Sequence, residues 1–210
     1  MASGYHCRGE SIVLPAGSLS LMNPEEPHTG YAADGWVGYH MLYATEEATH
    51  ELLGLRGLRG FSEIAPMDRD LRLTRALGAL ARRLDAADSP DWWLAVEEAV
   101  YEAITVAFAC YGNVRLPAPG NESRSIAALR SRIAAAVEAG ESLTIAEFAA
   151  EAGLHPSYLV RSFARATGMT PHALVVQGRV DRARRMLLDG VPAAEVAAAV
   201  GFCDQAHLIR

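Results

Sequence analysis

The stretch ESLTIAEFAAEAGLHPSYLVRSFARATG, residues 141–168, breaks into two short helices. Thr144 followed three residues later by Glu147 is a capping box, so a helix starts there with Ile145, Phe148, Ala149 and Ala152 on its inner face. Gly153 ends it. Only Leu154 and His155 intervene before Pro156, a residue suited to the first turn of the next helix, whose inner face is Leu159, Phe163 and Ala166. A short helix, a turn containing glycine and a second helix make a helix-turn-helix, in which the second helix can lie in the major groove of DNA. Alanines at 149 and 152 let the two axes come close.

Helix pairs with glycine turns are common in all-α domains, and an internal repeat is what adds weight here. AEFAAEAGL at 146–154 matches AEVAAAVGF at 194–202, and LVR at 159–161 matches LIR at 208–210, the second copy holding one extra residue in its turn. Between the copies, TPHALVVQGRVDRARRMLLDG from Thr170 reads as a helix of about 18 residues, capped by Thr170, started by Pro171 and stopped by Gly190; at 1.5 Å per residue it spans roughly 27 Å. Leu174, Val175, Gly178, Ala183, Met186 and Leu187 are expected inward, with Arg179, Arg182, Arg184 and Arg185 on the polar side. Two recognition helices at the ends of such a spacer can enter successive major grooves on one face of a duplex, about 34 Å apart.

Working outward, GNVRLPAPGNES at 112–123 is a linker of prolines, glycines and asparagines. Before it, Leu73, Leu77, Leu80 and Leu84 fall on one helical face opposite Arg72, Arg75, Arg82 and Arg83. A following helix is opened by Ser89, Pro90 and Asp91, with a stripe of Trp93, Val96, Val100, Ala103, Ile104, Ala107, Phe108 and Tyr111. These two stripes suit either an intramolecular core or a seam between two copies of the chain. From Gly4 to Tyr43 the pattern is of short β segments, SIVLPAG, SLSLMNP and GWVGYHMLY, giving two to four strands with edges that need cover.

Composition narrows the class. The 210 residues are 50% hydrophobic and 21% charged, with a net charge of −6, which excludes a disordered chain. Residues 1–120 carry 9 Arg against 16 Asp and Glu, a net −7, whereas residues 121–210 carry 10 Arg against 9, a net +1. All 19 basic residues are Arg, so every cationic contact is a planar fork able to pair bidentately with phosphate or guanine. Cys7, Cys110 and Cys203 show no metal or disulfide spacing, and the most apolar window, LAVEEAVYEAITVAFACYG, carries Glu97, Glu98 and Glu102. No secretory signal precedes it. A reducing cytoplasm, no membrane span, no cofactor and no metal are expected.

With these motifs in place, residues 124–210 resemble the DNA-binding domain of AraC/XylS transcriptional regulators. The resemblance is carried by Ser157, Arg161, Phe163, Arg165, Gly168, Thr170 and Pro171, by Arg179, Ala183 and Leu187 of the spacer helix, and by Ala197, Gly201, Phe202, Asp204, Gln205 and Arg210. The N-terminal part resembles the cupin sensor of that family followed by its dimerisation helices. The resemblance implies a chain that is mainly α with a small β part: residues 1–111 an effector and dimerisation domain (β 1–66, helices 67–111), residues 112–123 a linker, residues 124–210 a double helix-turn-helix. It also implies further sequence, with more strands before Tyr5 and a longer second unit beyond Arg210, so the chain is expected to be truncated at both ends.

The same resemblance assigns roles. Ser157, Val160 and Arg161 are the expected base-edge readers of the first unit, with Arg165 on phosphate; Gln205, Ala206, Ile209 and Arg210 occupy the comparable face of the second, capped by Asp204. His28 is the expected effector-pocket residue. Of the second cupin motif only Gly17 and His28 match, while Asn23, Glu25 and Ala32 stand where Pro, Gly and Asn belong, and one histidine does not make a catalytic metal site. No Ser/His/Asp arrangement or phosphate loop is present, and an enzyme is not expected. The expected partners are promoter DNA, a small-molecule effector and a second copy of the chain. The alternative is a truncated dimerisation partner that binds no DNA and acts on a full-length regulator.

Overall fold

The computed structural model describes residues 3–32, 38–86, 91–118, 123–202 and 204–209. The sequence expectations for Trp36 and Val37, for Ser89 and Pro90, for linker residues 119–122, for Cys203 and for Arg210 lie outside the described residues.

The described β region holds three strands, within the two to four expected. β1 (Ser3–Cys7), β2 (Glu10–Leu14) and β3 (His28–Tyr31) form an antiparallel sheet in the order β2-β1-β3. The β1–β2 hairpin turns on Arg8 and Gly9, at φ 52° and 79°, the left-handed pair that a two-residue type I′ turn requires. Tyr5 and Cys7 bury against Ile64, with Ile12, Leu14 and Met22 around them. The Tyr5 hydroxyl donates to the Ile64 carbonyl at 3.2 Å, and Arg8 is paired with Glu26. SLSLMNP forms no strand. Its Leu19 and Leu21 pack instead onto a helical core, because a hydrophobic cluster was within reach and a fourth strand partner was not. Residues 38–43 likewise carry no strand, and Tyr39, Met41, Leu42 and Tyr43 are exposed.

Within the segment read as β lies a helix, α1 (Glu46–Leu53). Thr45 caps it by accepting from the Ala48 N–H at 3.1 Å, and Gly54 closes it at φ 67°. The T-E-E start and glycine stop are ordinary helix signals.

α2 (Arg72–Asp85) and α3 (Trp92–Tyr111) pack against each other within the chain, Ala76 and Leu80 meeting Val96 and Ala103, and Leu73 meeting Ile104 and Phe108. Of the expected stripes, Leu84 and Trp93 are exposed, at 50% and 62%; at this end of the hairpin Trp92 turns to α2 instead, its Nε1–H donating to the Arg83 carbonyl at 2.6 Å. After the linker come α4 (Ser123–Ala139), α5 (Ile145–Ala152), α6 (Pro156–Thr167), α7 (Pro171–Leu188), α8 (Ala193–Ala199) and α9 (Gln205–Ile209). The sequence-derived spacer is α7: Thr170 accepts from the Ala173 N–H, Pro171 opens the helix, and Gly190 turns the chain at φ 85°. Gly178 lets α4 approach, since a Cβ there would stand 3.3 Å from Val137.

The halves do not meet as separate bodies joined by a linker. Leu94 of α3 is 1% exposed inside the cluster formed by Ile126, Leu129, Ile133, Ile145, Phe148, Leu159, Phe163 and Val175, with Tyr101 beside it. A polar seam runs alongside. Arg179 was expected on the polar face of α7, yet it is 4% exposed and donates from Nη2 to Asp91 Oδ1 at 2.8 Å. Burial pushes the Asp91 carboxyl up, the facing guanidinium pulling part of this back. Leu187, expected inward, is 43% exposed. Glu98 of α3 accepts from the His172 N–H at 2.6 Å and Glu97 from the Ile145 N–H at 2.9 Å. Two neighbouring carboxylates of one helix thus meet the N-terminal turns of α7 and α5, where the unpaired amides and the helix dipole favour an anion.

Two stability predictions follow from the seam. Replacing Asp91 by Asn strands the buried Arg179 charge and is expected to cost about 3–5 kcal/mol in urea denaturation, most of it regained when Arg179→Met is added. The second concerns His172, whose ring is held down at about 4 by burial and then by the Arg83 and Arg179 cations. Between its unfolded value near 6.5 and that depressed value, only the unfolded chain takes up the proton, so the stability from neutral His172 is full above pH 6.5 and lost on acidification. Because Glu97, Glu98 and Asp91 titrate with the opposite sign, the readout is the difference between parent and His172→Gln. That difference is expected to move against the parent by about 2 kcal/mol from pH 7 to pH 5 in denaturation midpoints.

Candidate nucleic-acid interface

The first helix-turn-helix is α5, the turn at residues 153–155 and α6. Thr144 accepts from the Glu147 N–H at 3.4 Å, and Gly153 at φ 65° places its N–H on the carbonyls of Ala149 and Ala150. Ala149 is fully buried, which brings α5 against α6, and Leu159 and Phe163 of α6 are fully buried beneath it. Gly168 stops α6 at φ 79°. The second unit, α8 and α9, packs Val196, Val200, Phe202 and Leu208 around Ala183 of α7. Arg182 of α7 donates to the last-turn carbonyls of both α4 and α8, to Val137 O and Ala199 O at 3.0 Å each. A single 18-residue helix therefore carries one helix-turn-helix at each end.

The expected DNA-reading residues have distinct surroundings. Ser157, expected on an exposed face, is 1% exposed: its hydroxyl donates at 2.6 Å to the Leu52 carbonyl of α1. Val160 is half-buried against the α4–α6 core. Arg161 is half-buried, its Nε donating to the Ser157 carbonyl and its Nη1 to the Pro117 carbonyl of the linker, both at 3.2 Å. Burial lowers its pKa, with Tyr158 and Glu102 working against the shift. Arg165 is exposed on the same helix, and Gln205 and Ala206 are exposed at the start of α9, after Asp204. The side chain of Ile209, and all of Arg210, lie outside the described residues. The residues expected to read DNA in the first unit are thus gathered at one end of α6 and Gln205 and Ala206 lie on the second unit, with Ser157 turned to the N-terminal half.

Sequence reasoning missed α1 and the carboxylates of α3 as neighbours of this interface. The α1 caps were legible, while Asp91, Glu97 and Glu98 were read as a helix start and as charges excluding a membrane span. What they pair with lies 48 to 88 positions away, and no local pattern carries that.

In the N-terminal half, His28 is exposed on β3 with its Nδ1–H donating to the Glu26 carbonyl at 2.9 Å. A different place is concave: an apolar cleft of about 260 Å³ lies between residues 42–45, α1 and α3, lined by Leu42, Tyr43, Thr45, Leu52, Val100 and Ile104 among others. Among the described residues no charged side chain lines it, and its threonines are committed, Thr45 to the α1 cap and Thr49 to the Thr45 carbonyl. Among the described residues no three His, Cys, Asp or Glu side chains converge as a metal site, and no helix is long and apolar enough to cross a membrane.

Comparison with known proteins finds two family matches along the chain. Residues 3–104 match the AraC-like ligand-binding domain family and residues 148–210 match a helix-turn-helix domain family. The chain is 24% identical over 211 residues to the HTH-type transcriptional regulator YbfI of Bacillus subtilis (strain 168), covering 96% of this chain and 73% of that protein. No solved structure matches the chain. A ligand-binding half packed on a double helix-turn-helix, each matched by its own family and the whole by one relative, supports an AraC-family transcriptional regulator.

Proposed function

We propose that the chain reads promoter DNA as a homodimer, through Ser157, Val160 and Arg161 at base edges and Arg165 on phosphate in the first unit, and through Gln205, Ala206, Ile209 and Arg210 in the second. The observation that carries this reading is α7, which holds α5–α6 and α8–α9 at opposite ends of one rigid rod. An 18-residue helix supplies about 27 Å, close to the ~34 Å between successive major grooves. Arg161 carries a guanidinium fork suited to guanine O6 and N7. The C-terminal half has a net charge of only +1, so counterion release gives limited affinity and two copies on adjacent half-sites supply the rest. Exposed Leu84 and Trp93 on the α2–α3 hairpin offer apolar surface for that pairing.

With His28 the expected effector contact on β3, the concave place for a small uncharged effector in this reading is the cleft between α1 and α3. Its walls offer apolar contact and no charge, and all of them lie within the segment matched by the ligand-binding family. The protein catalyses no reaction and works in the cytoplasm beside the DNA.

Selection from random duplex pools, at two salt concentrations, tests the reading. A defined motif is expected to emerge with the parent, and Arg161→Ala is expected to relax one base position by about 1–3 kcal/mol of discrimination. Arg165→Ala is expected to weaken all sequences alike and reduce the salt slope by about one charge. Binding without any sequence preference would overturn it.

A further inference from the structure

The second helix-turn-helix stands on one face of α7. Its apolar core sets Val196, Val200, Phe202 and Leu208 against Ala183 and Met186, and contact of that kind has little directional preference, so by itself it does not fix the roll of α8–α9 about the α7 axis. Direction comes from Arg182. Its Nη1 donates to the Val137 carbonyl in the last turn of α4 and to the Ala199 carbonyl in the last turn of α8, at 3.0 Å each. The two helix ends come close together here: a Cβ at Gly140, just past α4, would stand 3.8 Å from the Ala199 oxygen and 3.9 Å from Arg182 Nη1. Last-turn carbonyls have no partner within their own helix, and a helix C-terminus carries about half a negative charge. Two such ends repel unless a cation stands between them. The Arg182 guanidinium stands there, half-buried, with Glu138 of α4 at 3.8 Å from its Nε and bonded to Arg185 one turn further along α7.

The helix α4 belongs to the first unit, since Ile126, Leu129, Ile133 and Val137 share one core with Leu159 and Phe163 of α6. Arg179, one turn earlier on α7, also reaches the second unit, at the Gly201 carbonyl at 3.4 Å. That bond joins the unit to α7, whereas Arg182 joins it to the scaffold of α6. We propose that Arg182 is a positioning residue for operator spacing: it clamps α8 to α4 and so fixes the separation at which the two units read their blocks of bases, while touching no base itself. This rests on the DNA-binding reading above and adds the residue that sets the geometry between its two parts. Neighbouring base pairs stand about 3.4 Å apart. A second unit that rolls on α7 by that distance at α9 meets the next base pair, so loss of the clamp shows as a loss of spacing and not as a loss of base preference.

Arg182→Met removes the donors and keeps the apolar stem, and Arg182→Lys keeps a cation whose donors can meet both carbonyls. Glu138→Gln leaves the guanidinium in place without its anion. The full chain in parent and all three variant forms is put through selection from random duplex pools, and amide hydrogen exchange of α4, α6 and α8 is followed without DNA. The parent is expected to select two blocks of sequence at one separation. Arg182→Met is expected to select the same two blocks at separations spread by about one base pair either way. It is also expected to bind the parent's best duplex about tenfold more weakly, as for one or two lost hydrogen bonds, and to exchange faster at the C-terminal end of α8 with α6 unchanged. Arg182→Lys is expected to bring back the single separation, and Glu138→Gln to broaden it by less than Arg182→Met. A separation as sharp in Arg182→Met and Glu138→Gln as in the parent would overturn the clamp and leave the DNA-binding reading standing. So would a parent that selects one block alone, or an Arg182→Met form that blurs bases within the blocks at unchanged spacing. Selection of no sequence by any form, with α6 and α8 protected from exchange, would overturn both.

Discussion

Burial of charge along α3 is the constraint on which the arrangement of the two halves depends. Apolar contact alone, such as Leu94 among Leu129, Leu159 and Phe163, tolerates sliding, because dispersion and the hydrophobic effect have little directional preference. A buried carboxylate tolerates none. Asp91, at 2% exposure, needs the Arg179 guanidinium, and Glu98 needs the His172 amide. Each of these pairs tethers α3 to a different turn of α7, and Glu97 adds a third tether to α5. Three directional contacts over two turns of one helix fix its rotation, height and tilt against the other half, and everything that α1 does to α6 follows from that placement.

The parts of this fold legible in the sequence are those whose physics is local. Thr144, Gly153, Pro156, Gly168, Thr170 and Pro171 mark caps and stops because a cap is satisfied within four residues, and every one of them delimits a helix where expected. The α2 and α3 periodicity was legible too, but not which partner it served, since an amphipathic stripe does not say whether it meets its own chain or another. The β region was legible least. SLSLMNP alternates like a strand, and a strand forms only where a neighbour offers a ladder; at 18–24 the neighbour is the Leu53, Leu73 and Phe108 cluster, and the leucines join that. The helix α1 had readable caps at Thr45 and Gly54 and was passed over beside aromatic and β-branched residues.

Site residues divide along the same line. That α6 presents Ser157, Val160 and Arg161 together follows from helical spacing and needed no structure. That Ser157 would be 1% exposed does not, because its partner is a main-chain carbonyl 105 residues away, and any residue could have supplied it. Arg179 shows the hazard in reverse: a lone arginine among solvent-facing arginines reads as surface, and only the Asp91 carboxylate across the seam makes burial affordable.

The chemistry of the seam also bears on how firmly the two halves are held. A buried ion pair gains attraction at the cost of desolvating both partners, and the two are often comparable, so its net contribution is small while its geometric demand is large. The same holds for hydrogen bonds exchanged with water, worth on the order of 1 kcal/mol each. Ser157, His155 and Arg161 are held by bonds of that kind, whereas Leu159 and Phe163 beneath them are fully buried in a cluster that also takes in Leu94 of α3. Parting the halves therefore means exposing Leu94 as well as breaking a few near-balanced polar bonds.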